Sequence, residues 1–247
     1  MSGGPKSVVV TGAASGIGRA VALRLVADGI DVLAVDRSEE GLASVADAGA
    51  RTCLADLSSS ADRARIVEEA GNLDALVNAA GVIRLVPPLE VSEDDWDTIF
   101  SVNAKALFFL CQAFAERLPD GGRIVNLASV AARNQSTLET AVYAASKAAV
   151  VAITRSYAHL LGPRGICVNA VLPGIVDTPM QDKVIEELAR HRGIPAEEIA
   201  GKRLSIVPLA RTAPPEECAE AIVSLLGPAG SYVTGQAIAV DGGYTMV

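Results

Sequence analysis

Hydrophobic positions fall along this chain in two alternating rhythms. Val8-Val9-Val10, Val32-Leu33-Ala34-Val35, Ala75-Leu76-Val77, Arg123-Ile124-Val125-Asn126 and Cys167-Val168-Asn169-Ala170-Val171 are short, mostly β-branched runs. They read as buried parallel strands, because a strand covered on both faces is continuously apolar rather than alternating. Thr52-Cys53-Leu54 is a weaker run, and Ala237-Ile238-Ala239-Val240 is a last one. Between them, apolar residues recur at helical spacing over 16–28, 39–48, 61–70, 93–117, 141–161 and 215–226. Such alternation requires right-handed crossovers. It predicts an α/β fold, a Rossmann-like doubly wound parallel sheet of about seven strands with helices on both faces. No repeat, low-complexity tract or linker interrupts it, so one domain over 1–247 is expected.

Residues 174–209 break the rhythm. Pro173-Gly174 and Thr178-Pro179 are followed by charged helical stretches at 184–191 and 197–204. An insertion after the carboxyl end of a strand lies where open α/β sheets bind ligands, so this segment reads as a substrate lid rather than a decorative insertion.

Composition narrows the partners. Half of the 247 residues are hydrophobic, enough for a core on both faces of the sheet, and the formal net charge is -8. A surface of that sign repels nucleic acid unless a basic stripe is segregated, and none is present. The acidic cluster Ser92-Glu93-Asp94-Asp95 has the form of a helix start. Cys53, Cys111, Cys167 and Cys218 lack metal-ligand spacing and His159 and His191 are far apart, so no metal site is expected and the thiols read as reduced and buried. No apolar stretch approaches ~18 residues, which argues against a membrane span. Gly12, Gly16 and Gly18 interrupt the first apolar run, which argues against a signal peptide. A cytoplasmic protein is the expectation.

The segment Thr11-Gly12-Ala13-Ala14-Ser15-Gly16-Ile17-Gly18 follows the first strand and opens the first helix. Glycines there allow a tight turn and close approach of backbone to a pyrophosphate, and a helix N-terminus offers free N–H groups to that anion. A glycine-rich loop alone is a weak signal; its position in the strand–helix alternation makes it specific. Asp36 ends the second strand, where a carboxylate accepts both adenosine ribose hydroxyls and repels a 2′-phosphate. This favours NAD(H) over NADP(H). Arg37 pulls the other way, but Ser15 adds no second cation beside the loop.

Tyr143-Ala144-Ala145-Ser146-Lys147 puts a phenol and an ammonium one helical turn apart, about 6 Å, on one face. At an effective dielectric of ~20 that ammonium would stabilise phenolate by ~3 kcal/mol, roughly two pKa units. A general base working near neutral pH needs a shift of that size. By itself the pair also fits two residues on a solvated helix face.

With Asp56, Asn78-Ala79-Ala80-Gly81, Asn103, Ser129 and Pro173-Gly174 in order around it, the sequence resembles the short-chain dehydrogenase/reductase family over nearly its whole length. The resemblance implies that Tyr143 is the acid/base, that Lys147 lowers its pKa and holds the nicotinamide ribose, and that Ser129 hydrogen-bonds the substrate oxygen. Asn103, in a helix beginning near Ser92, would anchor a water relay behind Lys147. Asp56, with its neighbour Leu57, would meet the adenine. Asn78, Ala79 and Gly81 would shape the cofactor floor, and Pro173, Gly174, Ile175 and Thr178 would flank the nicotinamide, with the Thr178 hydroxyl on its carboxamide. Two departures stand out. The second motif has Ala79 where Asn is commoner, and the interval from Ser129 to Tyr143 is one residue longer than usual, so a bulge is expected within 131–142.

The polar loop from Arg133 to Glu139 suits a small hydroxylated substrate such as a polyol, an acetoin-type diol or a hydroxy acid. The alternative is a 3-oxoacyl-(acyl-carrier-protein) reductase. Arg164 could then hold the acidic carrier at the cleft mouth, but Asp120 stands where a second cation is expected. A non-catalytic nicotinamide sensor is disfavoured because Asn103, Ser129, Tyr143 and Lys147 are all kept, and an epimerase-type relative would need a further C-terminal domain. The resemblance also implies a homotetramer paired through the helices at 93–117 and 141–161 and the strand region at 237–240.

Overall fold

The computed structural model describes residues 4–134 and 137–246. Seven strands form one wholly parallel sheet: β1 (Ser7–Thr11), β2 (Asp31–Asp36), β3 (Arg51–Leu54), β4 (Ala75–Asn78), β5 (Arg123–Leu127), β6 (Cys167–Pro173) and β7 (Ala237–Val240). Their spatial order is β3-β2-β1-β4-β5-β6-β7. Chain direction along the sheet reverses between β1 and β4, and at that switch the loops leaving the two strands diverge and open a crevice. The doubly wound sheet read from the hydrophobic rhythm is therefore present, with every strand where the apolar runs place it. Val8, Val10, Ala34, Leu76, Val77 and Ile124 are fully buried, as two covered faces require.

The helices begin where polar caps precede apolar periodicity. Ser38 accepts a hydrogen bond from the Gly41 N–H to start α2 (Glu39–Asp47), and Ser59 accepts one from Asp62 to start α3 (Ser60–Ala70). Ser92 and Asp95 form a reciprocal capping box at the head of α4 (Glu93–Phe100), so the acidic cluster is a helix start as expected. The long helix α6 (Ala141–Leu161) has the bounds read from the periodicity. So does α9 (Pro215–Leu226), which packs beside α1 (Gly16–Ala27).

One helix differs. The expected single helix over 93–117 is two: α4 and α5 (Leu107–Ala115), joined by a wider π-type turn over Ser101–Ala106. Hydropathy cannot see this, because the turn keeps the apolar side inward while changing the rise. The cause is Asn103, whose amide is clamped to the backbone of Val82 on the neighbouring loop. The same segment corrects another expectation. Glu93–Ala115 is long and apolar enough, by length and mean hydropathy, to cross a membrane. Half of its most apolar window is buried inside the fold, where Leu107, Leu110, Cys111 and Phe114 join the core.

All four cysteines are buried and unpaired. Burial pushes the Cys111 and Cys218 thiols up to about 12, which leaves little thiolate for chemistry.

Candidate active site

At the carboxyl ends of β1, β2, β4, β5 and β6 lies a cavity of about 520 Å³. One end is lined by Asp36, Arg37, Asp56 and Leu57, the middle by Gly12, Ser15, Gly16, Ile17 and Gly18, and the other end by Ser129, Tyr143 and Lys147. Ala79 and Gly81 form part of the floor, and Pro173, Gly174, Ile175 and Thr178 a wall. The structure thus brings together all but two of the residues the sequence singles out. The exceptions are Asn78 and Asn103, which do not line the cavity.

The loop at the head of α1 is shaped by the protein's own packing. A Cβ on Gly12 would sit 2.7 Å from the Ala80 backbone, and one on Gly18 would sit 2.1 Å from the Gly12 carbonyl oxygen. Gly16 has φ +52°, a left-handed conformation costly for residues with a side chain, and it faces the Thr178 methyl group. The expectation of tight turning holds. Close approach, at Gly12 and Gly18, is to neighbouring backbone. Ser15 is extended and makes no side-chain cap, and the first turn of α1 carries no acidic residue. The heads of α2, α3 and α4 each have a capping serine and at least one carboxylate. Only α1 among these four keeps its first N–H groups and dipole open toward the cavity, the condition for receiving a phosphate.

At the adenosine end, the Asp36 carboxylate closes the turn by accepting from the N–H of Ala14 and of Ser38. It holds the loop in place while still facing the cavity. Asp56 accepts from the backbone and hydroxyl of Ser58, and the Asp56 N–H is held by Asp62. An open helix N-terminus between a carboxylate end and a phenol–ammonium end fits a nicotinamide dinucleotide.

The other end is built from below. Asn78 is expected to shape the floor directly; instead it is buried under it, donating to Asn126 Oδ1 at 2.9 Å. Asn126 in turn donates to Thr154 on α6 at 3.0 Å. Asn103 Oδ1 accepts from the Val82 N–H at 2.8 Å, and its amide donates to the Val82 carbonyl and to Ser146. Ser146 passes this on by donating to the Tyr143 carbonyl at 2.7 Å. Asn103 and Lys147 converge on Gly81: a Cβ there would lie 3.5 Å from Asn103 Oδ1 and 3.3 Å from Lys147 Nζ. Asn126, Ser146 and Thr154 escaped the sequence reading. Their signal is a polar side chain in an apolar run or on a buried helix face, which purely hydrophobic patterning discards.

Lys147 Nζ donates to the Leu127 carbonyl at 2.7 Å and lies 5.8 Å from the Tyr143 ring centre. Burial pushes the Lys147 ammonium down to about 8. Burial also raises the Tyr143 phenol above its ordinary value, partly countered by a hydrogen bond with Ser129. The depression expected from the ammonium alone is therefore outweighed. Desolvation disfavours both charges, and lysine's strongest contact is a carbonyl. Ser129, 1 residue before the short helical turn Val130–Ala132, also accepts from the Ala131 N–H.

The segment after β6 folds into α7 (Pro179–Arg192) and α8 (Ala196–Leu204). The Thr178 hydroxyl accepts from the Gln181 N–H as the cap of α7, a role the expected carboxamide contact did not include. Leu85, Val184, Leu188 and Ile199 make a small core of their own beneath these helices. Arg192 makes a two-nitrogen ion pair with Glu139, tying α7 to the turn Leu138–Thr140. Gln135 and Ser136, at the centre of the polar loop and of the expected bulge, lie outside the described residues. Asn134, Thr137 and Thr140 beside them line the cavity. Gln181, Lys202 and Arg203 also line it and were not foreseen, because their place depends on how the lid folds back, and Tyr244 joins them from the segment after β7.

Arg164 corrects the carrier-binding expectation. It donates to Asp120 and to the Ala115 and Leu118 carbonyls, just before β6 begins, at the end of the sheet away from the cavity. It ties a corner of the fold and does not guard the cleft mouth.

A family model described as enoyl-(acyl carrier protein) reductase matches residues 12–245. The 3-oxoacyl-(acyl-carrier-protein) reductase of Thermotoga maritima is 38% identical over 250 residues, covering 96% of this chain and 97% of that one. The L-2,3-butanediol dehydrogenase of Corynebacterium glutamicum is 36% identical over 253 residues, covering 96% and 98%. A short-chain dehydrogenase/reductase from Serratia marcescens superposes with a TM-score of 0.88 at 35% identity, covering 98% of each chain. A blue fluorescent protein from a metagenomic library, solved with NADPH, gives 0.86 at 35% identity over 98% of each. The chain belongs to the short-chain dehydrogenase/reductase family and is an oxidoreductase with a nicotinamide cofactor.

Proposed function

We propose that this chain interconverts a secondary alcohol and its ketone with NAD(H), acting on a small polar substrate such as a polyol, a vicinal diol or a hydroxy acid. The single observation behind the reading is that Ser129, Tyr143 and Lys147 line one end of the cavity together, with Lys147 Nζ 5.8 Å from the Tyr143 ring centre. The bound nicotinamide supplies or accepts the hydride at the substrate carbon. In reduction, Tyr143 gives its hydroxyl proton to the substrate oxygen, and Ser129 donates a hydrogen bond to that oxygen as charge develops. Lys147 then stabilises the phenolate until it is reprotonated through a water relay anchored at Asn103, and an oxidised nicotinamide bound there would add its positive charge. Asp36 supports NAD(H), since its carboxylate would repel a 2′-phosphate.

A second reading, 3-oxoacyl-(acyl-carrier-protein) reductase, has the Thermotoga maritima relative in its favour. Tying Arg164 into the far corner removes the carrier contact first expected for it. The deciding experiment assays polyols, vicinal diols, hydroxy acids and 3-oxoacyl thioesters with NAD(H) and NADP(H), using the wild type and Asp36→Ala. Turnover of small alcohols with NAD, shifting about tenfold toward NADP in the variant, is expected. Turnover confined to acyl thioesters, or an unmoved cofactor ratio, would reverse the respective assignment.

The reading is of one cytoplasmic domain over 1–247, with 174–209 as its lid, assembled as a homotetramer. Trp96 on α4, Phe108 and Phe109 on α5, and Leu160 on α6 expose apolar surface where a second copy would pack. Light scattering at micromolar concentration should return four chain masses; a monomer mass would exclude it.

A further inference from the structure

We infer that the substrate of this site carries a carboxylate, held by Arg203 from the lid; the inference rests on the alcohol–ketone reading above. Arg203 projects from the last turn of α8 into the same cavity as Tyr143. Its Nη2 donates to Gln181 Oε1 at 3.3 Å, and its Nε is cut off from solvent with no partner. A buried guanidinium nitrogen left unsatisfied is costly, so this side chain is held short of its full hydrogen-bond complement. The neighbouring cations are spoken for: Arg192 pairs with Glu139, and Lys202 pairs with Glu198. Among the described lid residues facing the cavity, Arg203 is the cation without a carboxylate partner.

The surroundings favour an incoming anion. Burial pulls the Arg203 pKa below the usual arginine range, with Tyr244 opposing and the Arg192 guanidinium adding to the fall. Two guanidiniums close enough to repel, one of them unpaired, make a field that a carboxylate relieves. The planar fork, aligned by the Gln181 amide, suits a two-oxygen acceptor. A neutral diol would leave the guanidinium charge without a counter-ion. The family of small alcohols thus narrows to hydroxy and oxo acids, with the reacting carbon near Tyr143 and the carboxylate under α8.

The test measures binding without turnover. With NADH bound, 2-, 3- and 4-hydroxypentanoate and their neutral amides are titrated by calorimetry into the wild type, Arg203→Gln, Arg203→Lys and Tyr143→Phe. At least one acid should bind about tenfold tighter than its amide. Arg203→Gln should erase that ratio, Arg203→Lys should keep part of it, and NADH affinity should stay within about twofold in all. No acid–amide difference in the wild type, or a difference that survives in Arg203→Gln, overturns the inference. So does a large loss of NADH affinity in Arg203→Gln, which would make the cofactor's pyrophosphate the anion. Tyr143→Phe separates the two claims. If it keeps turnover, the alcohol–ketone reading fails while the acid preference, measured in the same variant, still stands.

Discussion

The floor beneath Tyr143 and the lid above it are both polar, yet they are built in opposite ways. Under the floor, Asn103, Asn126, Ser146 and Thr154 are buried, and each is bonded to protein at 2.7–3.0 Å. They join β5, the π-type turn and α6 into one rigid unit. In the lid, Arg203 lines the cavity without a carboxylate partner, and the apolar support is a four-residue cluster separate from the two large cores. A bonded network holds atoms in fixed places, whereas a cation without a counter-ion can take one from a ligand. Under the proposed function, proton transfer falls to the floor and substrate choice to the lid.

The largest effect should come from the floor's single reacting group. Tyr143→Phe removes one oxygen from a site whose frame does not depend on it. Turnover should fall about a thousandfold while NADH affinity is kept. Retained turnover would take proton transfer away from the floor altogether.

A paired substitution sharpens the comparison. Gly18→Ala forces a methyl against the Gly12 carbonyl and should cost the whole fold about 3 kcal/mol or more. Leu188→Ala opens the lid cluster, where Leu188 is 1% exposed. Its loss should appear as faster hydrogen exchange over 179–204 and a raised KM, with a smaller fall in Tm than Gly18→Ala causes. Equal falls in Tm would show floor and lid to be one cooperative unit.

The smallest effect concerns the charge buried in the floor. With the Lys147 pKa lowered from 10.5 to about 8, the unfolded chain binds more protons between those values, so stability rises with pH across that window. Below pH 8 the folded state carries the full burden of a buried ammonium. Lys147→Met should therefore be more stable than wild type at pH 7, by roughly 1–3 kcal/mol, with the gain shrinking toward pH 10. Thermal melts at both pH values would check the sign.

Much of this was legible before folding. The strands and most helix bounds follow from hydrophobic period and capping serines, which act within a turn or two of chain. The residues around Tyr143 could be named because a short spacing in one helix, or one loop after one strand, sets their geometry. Asn78 and the long helix 93–117 were read imperfectly, since both answer to partners far away in sequence: Asn126 for the first, Val82 for the second.

By itself, then, the sequence determined the strands of the sheet, the glycine-rich head of α1, the carboxylate at 36 and the phenol–lysine pair, because local periodicity and neighbouring residues settle each of them. Only the tertiary structure decided that Arg164 ties a far corner, that burial outweighs the ammonium at Tyr143, and that Arg203 reaches the cavity without a carboxylate partner. Those outcomes depend on desolvation and on which distant groups meet, and neither quantity exists until the chain has closed on itself.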